Sequence, residues 1–128
     1  MNLLLDTHIA LWAITDSPKL PHKARELIES PRATVCVSAA SVWEIAIKHR
    51  LGRGDMPVSG QDAARYFRES GYRFLAVEAE HAAAVEDLAA HHPDPFDRII
   101  VAQALFEPMR LITRDPVVAL YSDSIIKV

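Results

Sequence analysis

Short, wholly apolar runs alternate with stretches of helical period along the chain. Leu3-Leu4-Leu5 contains no polar position and stops at Asp6, which predicts a strand covered on both faces. Residues 7–15 follow as a helix with Asp6 as its cap, and Asp16-Ser17-Pro18 stops it. Residues 21–29 place Ala24, Leu27 and Ile28 on one helical face with Leu20 beside them, and Ser30-Pro31 ends that helix. Residues 33–37 (Ala-Thr-Val-Cys-Val) predict a second strand. A third helix starts at Ser38 or Ala39 and runs to about Leu51, and two glycines and a proline make 52–57 a loop. A fourth helix covers 59–70 and is closed by Gly71. Residues 74–77 predict the third strand and 78–90 an alanine-rich fifth helix. After a further helix, 110–113 predict the fourth strand, ending at Asp115-Pro116, and a short helical turn leads to a last strand at 124–128.

The further helix opens at His91-His92-Pro93-Asp94-Pro95-Phe96-Asp97. Asp94 is placed to cap the free backbone N–H groups, and Pro95 takes the first helical position, where its missing N–H costs nothing. Asp97 falls in the first turn, at the positive end of the helix dipole. Ile99, Ile100, Val101, Ala102, Ala104, Leu105 and Phe106 then make the helix apolar nearly all round, so it is buried on most sides. Asp97 shares a face with Ile100, Val101 and Ala104. A carboxylate aimed along that face is costly unless something positive meets it.

Strands alternating with helices imply an α/β fold with a parallel sheet covered on both faces. The length of 128 residues, with no repeat and no linker, predicts one domain over 1–128. Half the residues are hydrophobic and 24% are charged, which supports a core and excludes a disordered chain. No apolar run is long enough to span a membrane, and the first residues lack the basic and apolar regions of a signal peptide. A lone cysteine, Cys36 in an apolar run, reads as a small buried thiol and fits a cytoplasmic protein. The net charge of −3 excludes nucleic-acid binding driven by bulk positive charge, so any such attraction is local or carried by bound cations. There is no His-x-x-x-His or Cys-x-x-Cys, which argues against a structural zinc site.

Three acids have comparable positions. Asp6 follows the first strand, Asp115 follows the fourth, and Asp97 opens a helix at what is expected to be the same edge of the sheet. Ligands of open parallel sheets bind at the carboxyl ends of the strands, where strand order reverses. Glu44 is the fourth, inside a helix among large apolar groups, where it is no cap. Ser41, Glu44 and Lys48 form a narrow polar stripe, which reads equally as a surface ion pair or as part of an acid site. Converging carboxylates raise one another's pKa or bind a cation, and an oxygen-only donor set suits Mg²⁺ or Mn²⁺. Such centres support phosphoryl transfer. No phosphate-binding Gly-x-x-x-x-Gly-Lys-Ser/Thr loop is present.

The chain resembles PIN-domain ribonucleases of the VapC toxin type. The resemblance is carried by Leu3-Leu4-Leu5-Asp6-Thr7-His8, by residues 41–48 (Ser-Val-Trp-Glu-Ile-Ala-Ile-Lys), by residues 94–104 (Asp-Pro-Phe-Asp-Arg-Ile-Ile-Val-Ala-Gln-Ala) and by Thr113-Arg114-Asp115. It implies a three-layer α/β/α fold with a central parallel sheet, Mg²⁺- or Mn²⁺-dependent cleavage of RNA, a homodimer and inhibition by a small antitoxin protein. It places the metal-binding and catalytic acids at Asp6, Glu44, Asp97 and Asp115, with Asp94 left to its capping role and with Thr7 and Thr113 orienting the carboxylates. Apolar surface on the helices before and after the second strand is expected to serve the dimer, with a second groove for the antitoxin.

Other residues have weaker claims. His8 reads as a packed or solvent-tipped histidine rather than a general base, and Trp12 and Trp43 read as packing residues. Arg98 is open between a substrate phosphate contact and a pair with an acid. Lys48, His49, Arg50 and Arg53 suit a solvated helix end, with a local RNA contact as the alternative. Two rival functions stand beside the nuclease: a phosphatase-like hydrolase on a strand-end aspartate, and a non-catalytic α/β binding module whose aspartates only cap helices. The phosphatase pattern requires an acid where His8 stands, and the binding module has no use for Glu44.

Overall fold

The computed structural model describes residues 1–128. The chain runs β1 (Asn2–Leu5), α1 (Thr7–Ile14), α2 (His22–Glu29), β2 (Thr34–Ser38), α3 (Ala39–Arg50), α4 (Gly60–Glu69) and β3 (Arg73–Leu75). It continues through α5 (Ala79–Ala84), a 3-10 turn (Val85–Asp87), α6 (Pro95–Phe106), β4 (Arg110–Thr113), α7 (Pro116–Ala119) and β5 (Ile126–Lys127). The strands form one sheet in the order β3-β2-β1-β4-β5, and every pair is parallel. Each connection carries a helix because a parallel crossover cannot be made by a tight turn.

The unbroken leucine run of β1 follows from burial on both faces. Leu3 and Leu5, with Val35, Val37 and Ile112, face a core built with Ile9, Ile45 and Phe67 from the helices on that side. Leu4, with Cys36 and Leu111, faces the opposite core, where Ile100, Val101 and Ala104 of α6 pack. The three layers are therefore helices, parallel sheet and helices. Cys36 is buried, as its apolar surroundings imply, and burial pushes its thiol pKa up.

Local signals act as the sequence implies at most boundaries. Asp94 caps α6 through Phe96 N–H at 2.8 Å, with Pro95 at the first helical position. Gly71, at φ +82°, closes α4. Its N–H donates to Arg68 O and the next N–H, from Tyr72, donates to Phe67 O, both at 3.1 Å, while the Tyr72 and Phe67 rings stack. The fifth helix is shorter than its alanine content predicts. It stops at Ala84, and a 3-10 turn follows, because the Arg98 guanidinium takes the Val85 and Ala89 carbonyls at 3.1 and 2.9 Å. The third strand lies one residue earlier than its hydrophobic pattern suggests, since register with β2 pairs Cys36 with Arg73. The last strand has only two paired residues.

Two helices on one side of the sheet touch closely. A Cβ at Gly60, the first residue of α4, would lie 2.6 Å from the Ala46 Cβ of α3. Gly60→Ala is expected to destabilise the protein by about 1–3 kcal/mol. Ala46→Gly in the same chain should recover part of that loss in urea melts. A double variant whose losses simply add would show that this contact does not set the spacing.

Candidate active site

The sheet order reverses between β1 and β4, and both strands point their carboxyl ends at the same crevice. Leu5 lies opposite Ile112, which brings Asp6 and Thr113 side by side at the strand ends. The Thr113 hydroxyl donates to Asp6 Oδ2 at 2.6 Å and accepts from the Asp115 N–H at 3.0 Å. One threonine therefore ties the acid after β1 to the acid after β4. Asp6 Oδ1 accepts from Thr7 N–H at 2.9 Å and caps α1. Asp115 Oδ1 accepts from Val117 N–H at 2.8 Å and caps α7. Each cap occupies one carboxylate oxygen and leaves the other directed elsewhere, so capping and convergence are compatible.

Asp6, Glu44, Asp94, Asp97 and Asp115 all line one cavity of about 460 Å³, together with His8, Trp12, Lys48, His92 and Arg114. Glu44 arrives from α3. It is 2% exposed, so the Ser41–Glu44–Lys48 stripe is not a surface feature. Ser41 is buried and its hydroxyl pairs with that of Thr7 at 2.9 Å, which docks α3 on α1. The Thr7 side chain thus positions a helix; only its backbone N–H touches a carboxylate. Lys48 donates to Glu44 Oε2 at 2.5 Å. Burial pushes Lys48 down, but the hydrogen bond and charge of Glu44, with Asp94, outweigh it and hold the ammonium above its ordinary pKa. Glu44 Oε1 is buried without any hydrogen-bond partner.

Burial and like charges decide the electrostatics. Asp97 is pushed up to about 8, first by burial and then by Asp6, Asp94, Glu44 and Asp115. Burial also raises Asp6, against the lowering effect of the Thr113 and Thr7 hydrogen bonds. A carboxyl near 8 is mostly protonated at neutral pH, which relieves repulsion when no cation is present.

His92 is the residue that sequence reasoning missed. Its Nε2 lies 3.1 Å from Asp115 Oδ2 and 3.3 Å from Asp97 Oδ2, and the ligand atoms of these three residues lie within 4.8 Å of one another. Its Nδ1 accepts from the Asp94 N–H at 3.1 Å. That bond leaves the proton of a neutral ring on Nε2, so His92 donates to Asp115 Oδ2, with Asp97 Oδ2 close beside it, rather than offering a lone pair to a metal. The adjacent pair His91-His92 just before the capping aspartate was the available signal. Asp6 and Glu44 share the cavity but stay outside this tight trio.

Arg98 takes neither role open to it in the sequence. Its guanidinium donates to Val85 O, Ala89 O and the Tyr121 hydroxyl, and so pins the segment that carries His92. His8 is solvent-tipped and pairs with Asp55 at 3.2 Å. In the basic cluster, Lys48 turns to Glu44, Arg53 to Asp55 at 3.5 Å and His49 to Met56 O at 2.9 Å. An oxygen-rich donor set, an unpartnered buried carboxylate oxygen and a carboxyl held protonated by burial and by its acidic neighbours together fit a divalent cation.

A family model described as PIN domain matches residues 3–122. The chain is 29% identical over 115 residues to a protein named Ribonuclease VapC22 from Mycobacterium tuberculosis, an alignment that covers 89% of this chain and 87% of that one. Its structure is similar to that of VapBC2 from Rickettsia felis bound to a DNA fragment from their promoter, with a TM-score of 0.71 and 17% identity, covering 100% of this chain and 98% of the other. It is also similar to a toxin–antitoxin complex from Klebsiella pneumoniae, with a TM-score of 0.67, 16% identity and coverage of 98% and 96%. FitAcB from Neisseria gonorrhoeae gives a TM-score of 0.64 at 18% identity, with coverage of 98% and 96%. At these identities the structural likeness shows the fold.

The acid cluster carries a pH signature. An unfolded aspartate titrates near 3.9, whereas folded Asp97 titrates near 8. Between those values the folded state holds more protons than the unfolded one. Stability in EDTA is therefore expected to fall as pH rises through this window, by up to about 1.4 kcal/mol per pH unit for each unmatched proton, and to level off above it. Asp97→Asn should flatten that slope and make the variant at least as stable as the wild type at pH 8. Denaturant melts across the range check it; a wild-type stability that climbs from pH 4 to 8 would contradict the cluster.

Proposed function

Because the chain belongs to the PIN-domain family, we propose that it is a metal-dependent endoribonuclease, the toxin of a toxin–antitoxin pair, formed by a single domain over residues 1–128. One observation carries the chemistry: Asp6, Glu44, Asp97 and Asp115 line one cavity, where Asp97 is pushed up by burial and then by the other acids and Glu44 Oε1 has no partner. Neither a helix-capping module nor a strand-end phosphatase calls for a buried glutamate there.

Asp6, Glu44, Asp97 and Asp115 would hold Mg²⁺ or Mn²⁺, which when bound would supply positive charge at the scissile phosphate and lower the pKa of an attacking water. The chain's own groups prepare the site. Thr113 fixes Asp6, and the α7 N-terminus fixes Asp115 by one oxygen. His92 holds the outer oxygen of Asp115 by its Nε2–H and stands 3.3 Å from that of Asp97, a supporting contact of the kind that tunes metal ligands. Lys48 offsets Glu44. Asp97 gives up its proton when the site is loaded. Attack by water does not use the ribose 2′-hydroxyl, so the products are a 5′-phosphate and a 3′-hydroxyl.

The surface supports partners. Trp43 and Ile47 of α3 and Leu51 at its C-cap recur at one-turn spacing and are exposed, Trp43 by 61% and Leu51 by 72%. This stripe suits the interface of a homodimer. No large exposed apolar residue lies on α2, so the helix before the second strand adds nothing to it. Beside the stripe, an apolar cleft of about 570 Å³ lined by Trp43, Val77, Val85, Phe96 and Ile99 suits an antitoxin segment. No helix is long and apolar enough to cross a membrane.

Purified protein is expected to cut RNA only with Mg²⁺ or Mn²⁺, and Asp6→Asn or Asp97→Asn should abolish cleavage. Either cation should raise the melting temperature of the wild type and leave that of Asp97→Asn nearly unchanged. A 2′,3′-cyclic phosphate product would sink the water mechanism. For the interface, Trp43→Asp with Leu51→Asp should turn a dimer into a monomer in sedimentation without loss of fold. A wild type that sediments as a monomer at micromolar concentration would refute the dimer.

A further inference from the structure

Three clefts meet at Trp12 of α1. The indole lines the acidic cavity with Asp6, His8 and Arg114. It lines a second cleft of about 300 Å³ with His8, Lys19 and Pro57, and a third of about 610 Å³ with Lys19, Leu20 and Arg114. Every pair of these clefts shares Trp12 and one further residue, so they form a continuous trough with the indole at its centre. The ring is half-buried and packs against the core beneath the sheet, which fixes its orientation in advance. The His8 ring sits 5.8 Å away at a 50° tilt and is not stacked upon it.

Charge distinguishes this trough from an ordinary crevice. Lys19 and Arg114 are exposed and pair with no acid, whereas nearby Lys48, Arg25 and Arg53 are all engaged by carboxylates. A fixed aromatic face beside two free cations is the arrangement that binds single-stranded nucleic acid: the ring stacks a base and the cations neutralise phosphates. A net charge of −3 makes such a local site necessary for any polyanion to approach.

We propose that Trp12 is the stacking platform for a nucleobase beside the scissile phosphate of single-stranded RNA, and that Lys19 and Arg114 hold the neighbouring phosphates. This rests on the ribonuclease reading above. Bases in an A-form duplex are already stacked and cannot lie on the indole, so the trough selects unpaired segments. Every base has an aromatic face, so the platform itself is tolerant of sequence.

The test is equilibrium binding of the full chain, in EDTA so that nothing is cut, to a labelled single-stranded RNA of about twelve nucleotides. Trp12→Ala should weaken binding about 5- to 150-fold, and Trp12→Phe should retain most of it. RNAs that carry one abasic sugar, moved along the strand, test the wild type without any mutation. One abasic position should reproduce the Trp12→Ala loss in the wild type and have no effect in Trp12→Ala. Lys19→Ala and Arg114→Ala should each lower the salt slope by about one. Equal affinity for duplex and single strand, indifference of the wild type to every abasic position, or absence of binding would overturn the proposal. The two readings fail separately. Trp12-dependent binding without metal-dependent cleavage refutes the nuclease alone, and cleavage without Trp12–base coupling refutes the platform alone.

Discussion

Five carboxylates share one cavity, and their mutual repulsion is the constraint on which the surrounding structure depends. The answers are distributed. Asp6, Asp94 and Asp115 each give one oxygen to a helix N-terminus, where backbone N–H groups and the dipole favour negative charge. Glu44 takes the half-buried Lys48, and His92 lies between Asp97 and Asp115. Burial, together with the repulsion these contacts leave, raises the titration of Asp97, and burial above all raises that of Asp6. The cation proposed for this site would answer the remaining charge, which would make the repulsion a binding device as well as a liability.

The fold serves that cavity by fixing its walls. The all-parallel sheet reverses order at β1 and β4, so its two central strands end at the same crevice. Thr113 couples those ends directly. The Thr7–Ser41 pair docks α3 on α1 and holds Glu44 in place. Gln103, fully buried in α6, accepts from Ser38 at the end of β2 and donates to Ala76 O after β3, which seats α6 across the strand ends. Arg98 satisfies the carbonyls of a connection that would otherwise be a longer helix, and so brings His92 to the acids. These contacts are polar, and nearly all are buried or partly buried, where an unmade partner is costly, so they specify one arrangement.

Around this rigid centre the surface is divided by chemistry. The acidic cavity opens toward Trp12 and two unpaired cations on one side and lies beside an apolar cleft near Trp43 on another. The proposed polar substrate and the proposed apolar partner would thus meet different faces of the same site. Trp12 and Trp43 both read as packing residues in the sequence, yet each keeps part of its ring open, and the cleft each one meets separates their proposed uses.

The sequence by itself determined the features that act over a few residues. Hydrophobic period placed both covered faces of β1, and Asp94-Pro95 marked the start of α6, because caps and side-chain periodicity work within a turn or two. The four acids were legible as candidates from their strand-end and helix positions and from the family resemblance. Only tertiary structure decided what they do together. Glu44 could have been a surface pair until α3 docked on α1 and buried it. His92, Arg98 and Trp12 took their roles from elements brought up against them, and the Thr113–Asp6 bond closes a separation of 107 residues. Burial and convergence are properties of which elements meet, and no local pattern of residues encodes them.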